Sequence, residues 1–379
     1  MDIRFRIEKD ALFPLLSSLQ PLCAKRTTLD VTNTVLFQVG NRELVLKGTD
    51  LEVSLQASCA IDESSCTSSG TFLVSGRRVF ESVKEIDGAI ACSFEHNQLV
   101  LAAEGVTLRL NTQEARDFPA FPERIENLAH IAGRDLITLL ERVAFLIPQN
   151  NSNVALNGLF LEVGPTGLSM TTTNGHCLAR VHMAKYTLEE AHSWLIPRRA
   201  VFELKKLIEN AGDATVFLGT CDGHLVFSGE LFNFFTRLIS QPFPEYRPVL
   251  AHDDFSKGSI DRRAFIRALR RSACLLSGQF LATRFQFGEH DVHISFSNSG
   301  VGMLEEHLPI QFAGEDLDMR FYAPYVLDGM EVFGEERVGF YLKNETRPFI
   351  FETASDQCTM TYLVMPISPA VAAASGRSA

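Results

Sequence analysis

The stretch TTTNGHCLARVH, residues 171–182, sets an imidazole beside a thiol: His176 adjoins Cys177, and His182 follows six residues later. A thiolate nucleophile with a histidine base is the chemistry these types could support. It needs mutual hydrogen-bond reach and a third group to orient the base. Neighbours on a strand point to opposite faces, so His176 and Cys177 would be turned apart. His182 is compatible with the strand face of His176 but lacks the spacing of a local zinc site. No Walker A run, HExxH, GxSxG or dinucleotide fingerprint occurs in the chain. Acids such as Asp50 and Glu52 read as turn and edge groups rather than metal ligands. The plainer reading is a packed hairpin turn at Asn174-Gly175. A hydrolase built on His176 and a distant acid is the weaker rival.

The elements that must hold this turn follow from the whole chain. It has 379 residues, 46% hydrophobic and 21% charged, a globular mixture long enough for two or three domains. No apolar run approaches the ~20 residues that span a bilayer, and MDIRFRIEKD alternates like a strand rather than a signal-peptide core. Eight Cys without CxxC spacing point to reduced, buried thiols in a cytosolic protein. A formal charge of −11 counts against nucleic acid as a partner, unless basic residues are gathered on one face.

Internal repeats organise the chain. FRIEKDALFPLLSSLQPL, AHIAGRDLITLLERVAFLI and GSIDRRAFIRALRRSACLL each run from an apolar strand into an amphipathic helix. Ile7, Ile131 and Ile260 correspond, as do Leu12, Leu136 and Phe265, then Leu16, Leu140 and Leu269. Phe37, Leu161 and Phe285 are spaced by 124 and 124, and Thr49, Thr173 and Ser297 repeat that interval. A second helix is expected near Gly76, Pro197 and Pro324, and each copy is expected to close on a strand, at DFPAF, PFPEY and VMPI. Turn signals at 40–41, 164–167, 222–223 and 298–300 predict antiparallel hairpins. The fold class is therefore α+β: three repeated domains, 1–124, 125–252 and 253–368, each with two helices packed on antiparallel sheets. The tail 369–379 reads as disordered.

Basic residues recur at matching places. Arg263, Arg267, Arg270 and Arg271 form one helical stripe opposite Phe265, Ala268, Leu269, Ser272 and Leu276. Arg77 and Arg78 open one second helix; Arg198 and Arg199, then Lys205 and Lys206, open another. Lys25 and Arg26 follow the first helix, and Arg134 and Arg142 lie on its counterpart. Each cluster alone would be an ordinary solvated face. Recurrence in an acidic chain argues for one basic surface that holds DNA through its backbone without reading bases.

GTDLE at 48–52, DFP at 117–119, LNGLFLE at 156–162, TNGHCLA at 173–179, FPEYRPV at 243–249 and YLVMPI at 362–367 together resemble the bacterial DNA polymerase III beta subunit, the sliding clamp. The resemblance implies a ring-forming clamp fold and a head-to-tail homodimer around double-stranded DNA, with helices lining the hole. It implies a processivity factor, cytoplasmic and replisome-associated, without cofactor, metal or catalysis. The implied partners are the clamp loader, the replicative polymerase alpha subunit, and other polymerases and repair proteins. They dock through peptides with a Gln followed by an aliphatic and aromatic pair. Carried over residue by residue, the peptide pocket is Leu156, Thr173, Gly175, His176, Cys177, Leu178, Pro244, Val249, Leu363, Met365 and Pro366, with Ile367 at its edge. Arg26 matches an arginine associated with DNA contact; Arg77, Arg78, Arg198, Arg199, Arg263 and Arg267 are assigned by their placement on helices. The chain departs from the family pattern at Asn174 (Asp), Cys177 (Arg), and Asn153 and Ala155 (Arg and Tyr), which implies a shallower, more apolar pocket. A repeat scaffold that binds peptides without DNA is the main rival.

Overall fold

A computed structural model describes residues 3–24, 28–61, 66–122, 124–276, 281–355 and 358–367. The tail 369–379 and Arg26 lie outside the described residues. The chain divides into two compact units, one of Met1–Ile137 and Phe202–Leu238, the other of Thr138–Val201 and Ile239–Ala379. The second repeat thus contributes to both.

In the first unit, Ile3–Glu8 alternates buried and exposed residues, as a strand with one covered face must. It leads into the helix Lys9–Cys23, which buries Leu12, Leu16, Leu19 and Leu22 at the predicted spacing. The helix Gly76–Lys84 starts against it. A Cβ on Gly76 would stand 2.6 Å from the Cys23 Cβ, so only glycine permits this approach. Twelve antiparallel strands form one sheet, with Ile3–Glu8 and Glu126–Ala132 at its edges. Its seam pairs Val53–Ala60 from the first repeat with Phe232–Arg237 from the second, Leu55 opposite Phe234.

The second unit also holds a twelve-stranded sheet, running from His192–Pro197 to Leu317–Phe321. Here the seam pairs Cys177–Met183 with Thr359–Val364. The helix Arg262–Leu275 buries Phe265, Ile266, Ala268, Leu269 and Ser272. The helix Ala323–Val332 lies beside it and over the seam, where Gly329 gives way to the ring of Tyr362. Tyr362, fully buried, donates its hydroxyl proton to the Tyr325 carbonyl at 2.7 Å. No helix among the described residues is long and apolar enough to cross a membrane.

The repeat landmarks occupy equivalent positions. Ile7, Ile131, Ile260, Phe37, Leu161 and Phe285 are all buried. The four turn signals join antiparallel neighbours. The second helices are Gly76–Lys84, Arg198–Ala211 and Ala323–Val332. The expected closing strands are not strands. DFPAF and PFPEY are connectors outside the sheets, Asp117 ending a 3-10 turn and Tyr246 preceding the short helix Arg247–Leu250, and VMPI leaves the sheet after Val364. The reason is chemical: Pro119, Pro122, Pro242, Pro244 and Pro366 have no N–H to give a ladder.

Candidate functional site

The loop after Thr173 is built by side chains that imitate backbone partners. Thr173 Oγ1 donates to the Cys177 carbonyl at 2.6 Å and accepts from Gly175 N at 3.1 Å. Asn174 Oδ1 accepts from His176 N at 2.9 Å and Cys177 N at 2.8 Å. Gly175 sits at φ +91°, in the region that favours glycine. The first repeat uses the same device. Thr49 Oγ1 reaches the Val53 carbonyl and accepts from Leu51 N, while Asp50 Oδ1 accepts from Glu52 N and Val53 N. Asn174 therefore performs the acceptor role of an Asp without its charge.

Beyond the turn, strand alternation separates Cys177 from Leu178. Leu178 pairs across the seam with Leu363, and Leu363 pairs with Ile350. With Tyr246 these form a buried apolar cluster. Phe160, Phe243, Val249, Leu250 and Met365, only partly buried, pack against it. The result is a surface floored by aliphatic side chains and walled by aromatic ones, suited to apolar anchors of a peptide. Leu156 is buried, and its Cδ1 comes within 3.8 Å of where a Cβ on Gly175 would stand. Met365 N donates to the His176 carbonyl at 2.8 Å. His176, exposed, stacks on Tyr325 with ring centroids 5.7 Å apart. Pro244 is exposed on the connector between Phe243 and Tyr246, while Pro366 and Ile367 are half-buried after the last strand.

Most of the assigned pocket residues thus meet at one seam. Cys177 differs: it is 1% exposed and lies beside Tyr362, under the helix, on the strand face opposite Leu178. Asn153 caps a short 3-10 turn, accepting from Ala155 N at 3.1 Å, and Ala155 is buried. Tyr246, Ile350, Phe160, Phe243 and Tyr325 join the site although the sequence did not single them out. The aromatic spacing of FPEY and the alternation of PFIFE were the available signals.

Catalysis by the His-Cys pair fails on this geometry. His176 precedes the strand, and Cys177 alone begins it. Burial pushes the Cys177 thiol up to about 12. A thiol so shielded supplies no thiolate near neutrality. His182 is turned to Ser169 Oγ at 2.9 Å, and burial, then the charge of Arg180, lowers its pKa. Among the described residues no group of three or more His, Cys, Asp or Glu is placed to hold a metal.

The arginines divide into two kinds. Arg263 and Arg267 stand exposed, without an ion pair among the described residues. Arg270 pairs with Glu331 at 2.7 Å and Arg271 with Glu306, so the predicted four-residue stripe is half neutralised. Arg77 pairs with Glu81 at 2.8 Å, and Arg78 beside it is exposed. Arg198 is half-buried, its Nε donating to the Ile147 carbonyl at 3.1 Å; Arg199 is also half-buried. Lys205 and Lys206 lie 3.5 Å and 3.5 Å from Glu209 and Glu203.

Comparison with known proteins gives matches along nearly the whole chain. Models of the DNA polymerase III beta subunit match in order: the N-terminal domain over residues 3–122, the central domain over 130–245 and the C-terminal domain over 247–368. The beta sliding clamp of Pseudomonas aeruginosa is 29% identical over 370 residues, spanning 96% of this chain and 100% of that protein. The Escherichia coli beta sliding clamp is 26% identical over 368 residues, spanning 96% and 100%. A crystal structure of the P. aeruginosa clamp with a ligand superposes with a TM-score of 0.89, at 27% identity, covering 97% and 100% of the two chains. One of a P. aeruginosa clamp bound to griselimycin gives 0.89 at 28%, with coverage of 97% and 100%.

Proposed function

This chain belongs to the DNA polymerase III beta-subunit family, the sliding clamps, and we propose that the groove at Leu178 and Leu363 is where its partner proteins dock. As a family member it is a non-catalytic processivity factor: it encircles DNA and tethers the polymerase. Tethering of this kind needs a topological link rather than high affinity. A modest basic surface on an acidic protein is then sufficient, since each charge acts only within ~10 Å at about 0.1 M salt.

In this reading two copies close head to tail into a ring, as a heterologous contact does when its rotation closes. The three repeats are taken as the domains 1–124, 125–252 and 253–368. Arg77, Arg78, Arg198, Arg199, Arg263 and Arg267 face the duplex, and Arg26, outside the described residues, is assigned to DNA contact by the family match alone. The peptide pocket is formed by Leu156, Thr173, Gly175, His176, Leu178, Pro244, Val249, Leu363, Met365 and Pro366, with Tyr246 and Ile350 beneath. Cys177 contributes its backbone and stiffens the wall from behind. Partners are the clamp loader, the replicative polymerase alpha subunit, and other polymerases and repair proteins, met in the cytoplasm at the replisome.

The supporting observation is the seam itself. Two segments far apart in sequence pair residue for residue over one apolar cluster, on which the partly buried Phe160, Phe243, Val249, Leu250 and Met365 are packed. Light scattering after gel filtration gives the mass, expected to be that of two chains. After loading, the protein is expected to stay on nicked circular DNA and to leave once that DNA is linearised. Retention on linear DNA equal to that on circles would refute encirclement, and failure to be retained on either favours the DNA-free scaffold.

A further inference from the structure

The face that carries the apolar groove changes character two residues along each strand. Directly opposed residues of an antiparallel sheet share a face, and i, i+2 neighbours lie about 7 Å apart on it. The first row is Leu178, Leu363 and Ile350. The next is Phe160, Thr171, Arg180, Thr361 and Glu352, and the third is Glu162, Ser169 and His182. The floor therefore turns polar over the second and third rows, and beyond them, against the turn 164–167, a cavity of about 360 Å³ opens, its lining including Arg180, Arg247, Glu162, Ser169 and His192.

Two cations and one carboxylate face this cavity. Glu162 is occupied: it accepts from the Tyr246 hydroxyl and from Arg247 at 2.6 Å. Arg247 keeps further donors, with its side chain 68% exposed. Arg180, half-buried, donates to Ser169 Oγ at 2.8 Å and has no ion pair among the described residues. Glu352, in the same row, is engaged by the Thr361 hydroxyl at 3.1 Å. A half-buried guanidinium with spare donors in an acidic protein is a place where a carboxylate gains bidentate hydrogen bonds. Tyr246 links the two, since it packs in the cluster of Leu178 and Leu363 and its hydroxyl donates to Glu162, which lines the cavity.

We propose that Arg180 and Arg247 read an acidic side chain of the docked partner peptide: an Asp or Glu flanking the apolar anchors enters this cavity while the anchors fill the groove. The inference rests on the groove being the peptide site, and it adds a charge requirement to that site. A labelled synthetic peptide with Gln, Leu and Phe anchors, carrying Glu or Gln at each flanking position in turn, tests it by fluorescence anisotropy with the full chain. At one flank the Glu peptide is expected to bind about fivefold to tenfold tighter at low salt, with the gap narrowing as salt rises. In the double variant Arg180→Gln, Arg247→Gln the two peptides are expected to bind alike. In the wild-type protein the Glu peptide should raise the midpoint of the His182 imidazole in an NMR titration and the Gln peptide should not, a reading independent of any variant. Equal binding of Glu and Gln peptides at every flank overturns this inference and leaves the groove standing. If neither peptide binds, the groove assignment fails and the inference with it.

Discussion

Met365 N donates to the carbonyl of His176 at 2.8 Å, which fastens the chain leaving the last strand to the loop of an earlier hairpin. The bond lies beyond the final ladder pair, Cys177 with Val364, so it extends the seam past the sheet. His176 and Met365 thereby become neighbours on one rim, although 188 residues of chain lie between them.

Replacing Met365 by Glu sets a charge against Leu178, Tyr246 and Leu363 while leaving the backbone bond in place. Loss of a thioether contact and an unpaired carboxylate at an apolar wall should weaken peptide binding about tenfold to a hundredfold. Anisotropy titration measures the loss, and light scattering should show an unaltered mass. Undiminished binding would remove the groove from the functional site.

Asn174 holds the loop by accepting two backbone protons, at 2.9 Å and 2.8 Å. Asn174→Ala should cost about 1–2 kcal/mol in urea unfolding and loosen peptide binding, whereas Asn174→Asp keeps both bonds and should cost little. Gly175→Ala meets nothing closer than 3.8 Å, so its cost, about 1 kcal/mol, would come from the backbone at φ +91° alone.

Burial pushes the thiols of Cys23, Cys92 and Cys177 up to about 12, whereas Cys274 is exposed. With iodoacetamide at pH 8, mass spectrometry should find Cys274 alkylated first and these three protected. Unfolded thiols ionise near pH 8.5, so the contribution of each buried thiol to stability is complete below that pH. It then falls by up to about 1.4 kcal/mol per pH unit until the folded thiol also ionises near 12. Urea midpoints at pH 8 and pH 10 measure the slope, which Cys177→Ala should reduce.

Arg263 and Arg267 are exposed without partners among the described residues, whereas Arg270 and Arg271 are held by Glu331 and Glu306. Neutralising the first pair to Gln should lower the slope of log affinity for a short duplex against log salt by about 2. The same change at Arg270 and Arg271 should have a smaller effect on that slope and a larger one on thermal stability, since it strands two glutamates. Equal slopes for the two double variants would contradict the assignment of DNA contact to the exposed pair.

The sequence by itself determined the threefold plan, because helix and strand periodicity are local. Ile7, Ile131 and Ile260, or Thr49 and Thr173, declare their roles through spacing and side-chain chemistry, and the motifs declare the family. It erred at DFPAF and PFPEY, where the order of landmarks in each repeat suggested a closing strand and the prolines, which cannot complete a ladder, pointed the other way. Only the tertiary structure decided which charges and which faces are available. Arg270 and Arg271 look like Arg263 and Arg267 until Glu306 and Glu331, distant in sequence, come within hydrogen-bond reach. Cys177 and Leu178 are adjacent in the same motif, yet one lies beneath the helix and the other in the groove. That separation, like the apolar row of Leu178, Leu363 and Ile350, exists through pairing between segments whose encounter no local pattern encodes.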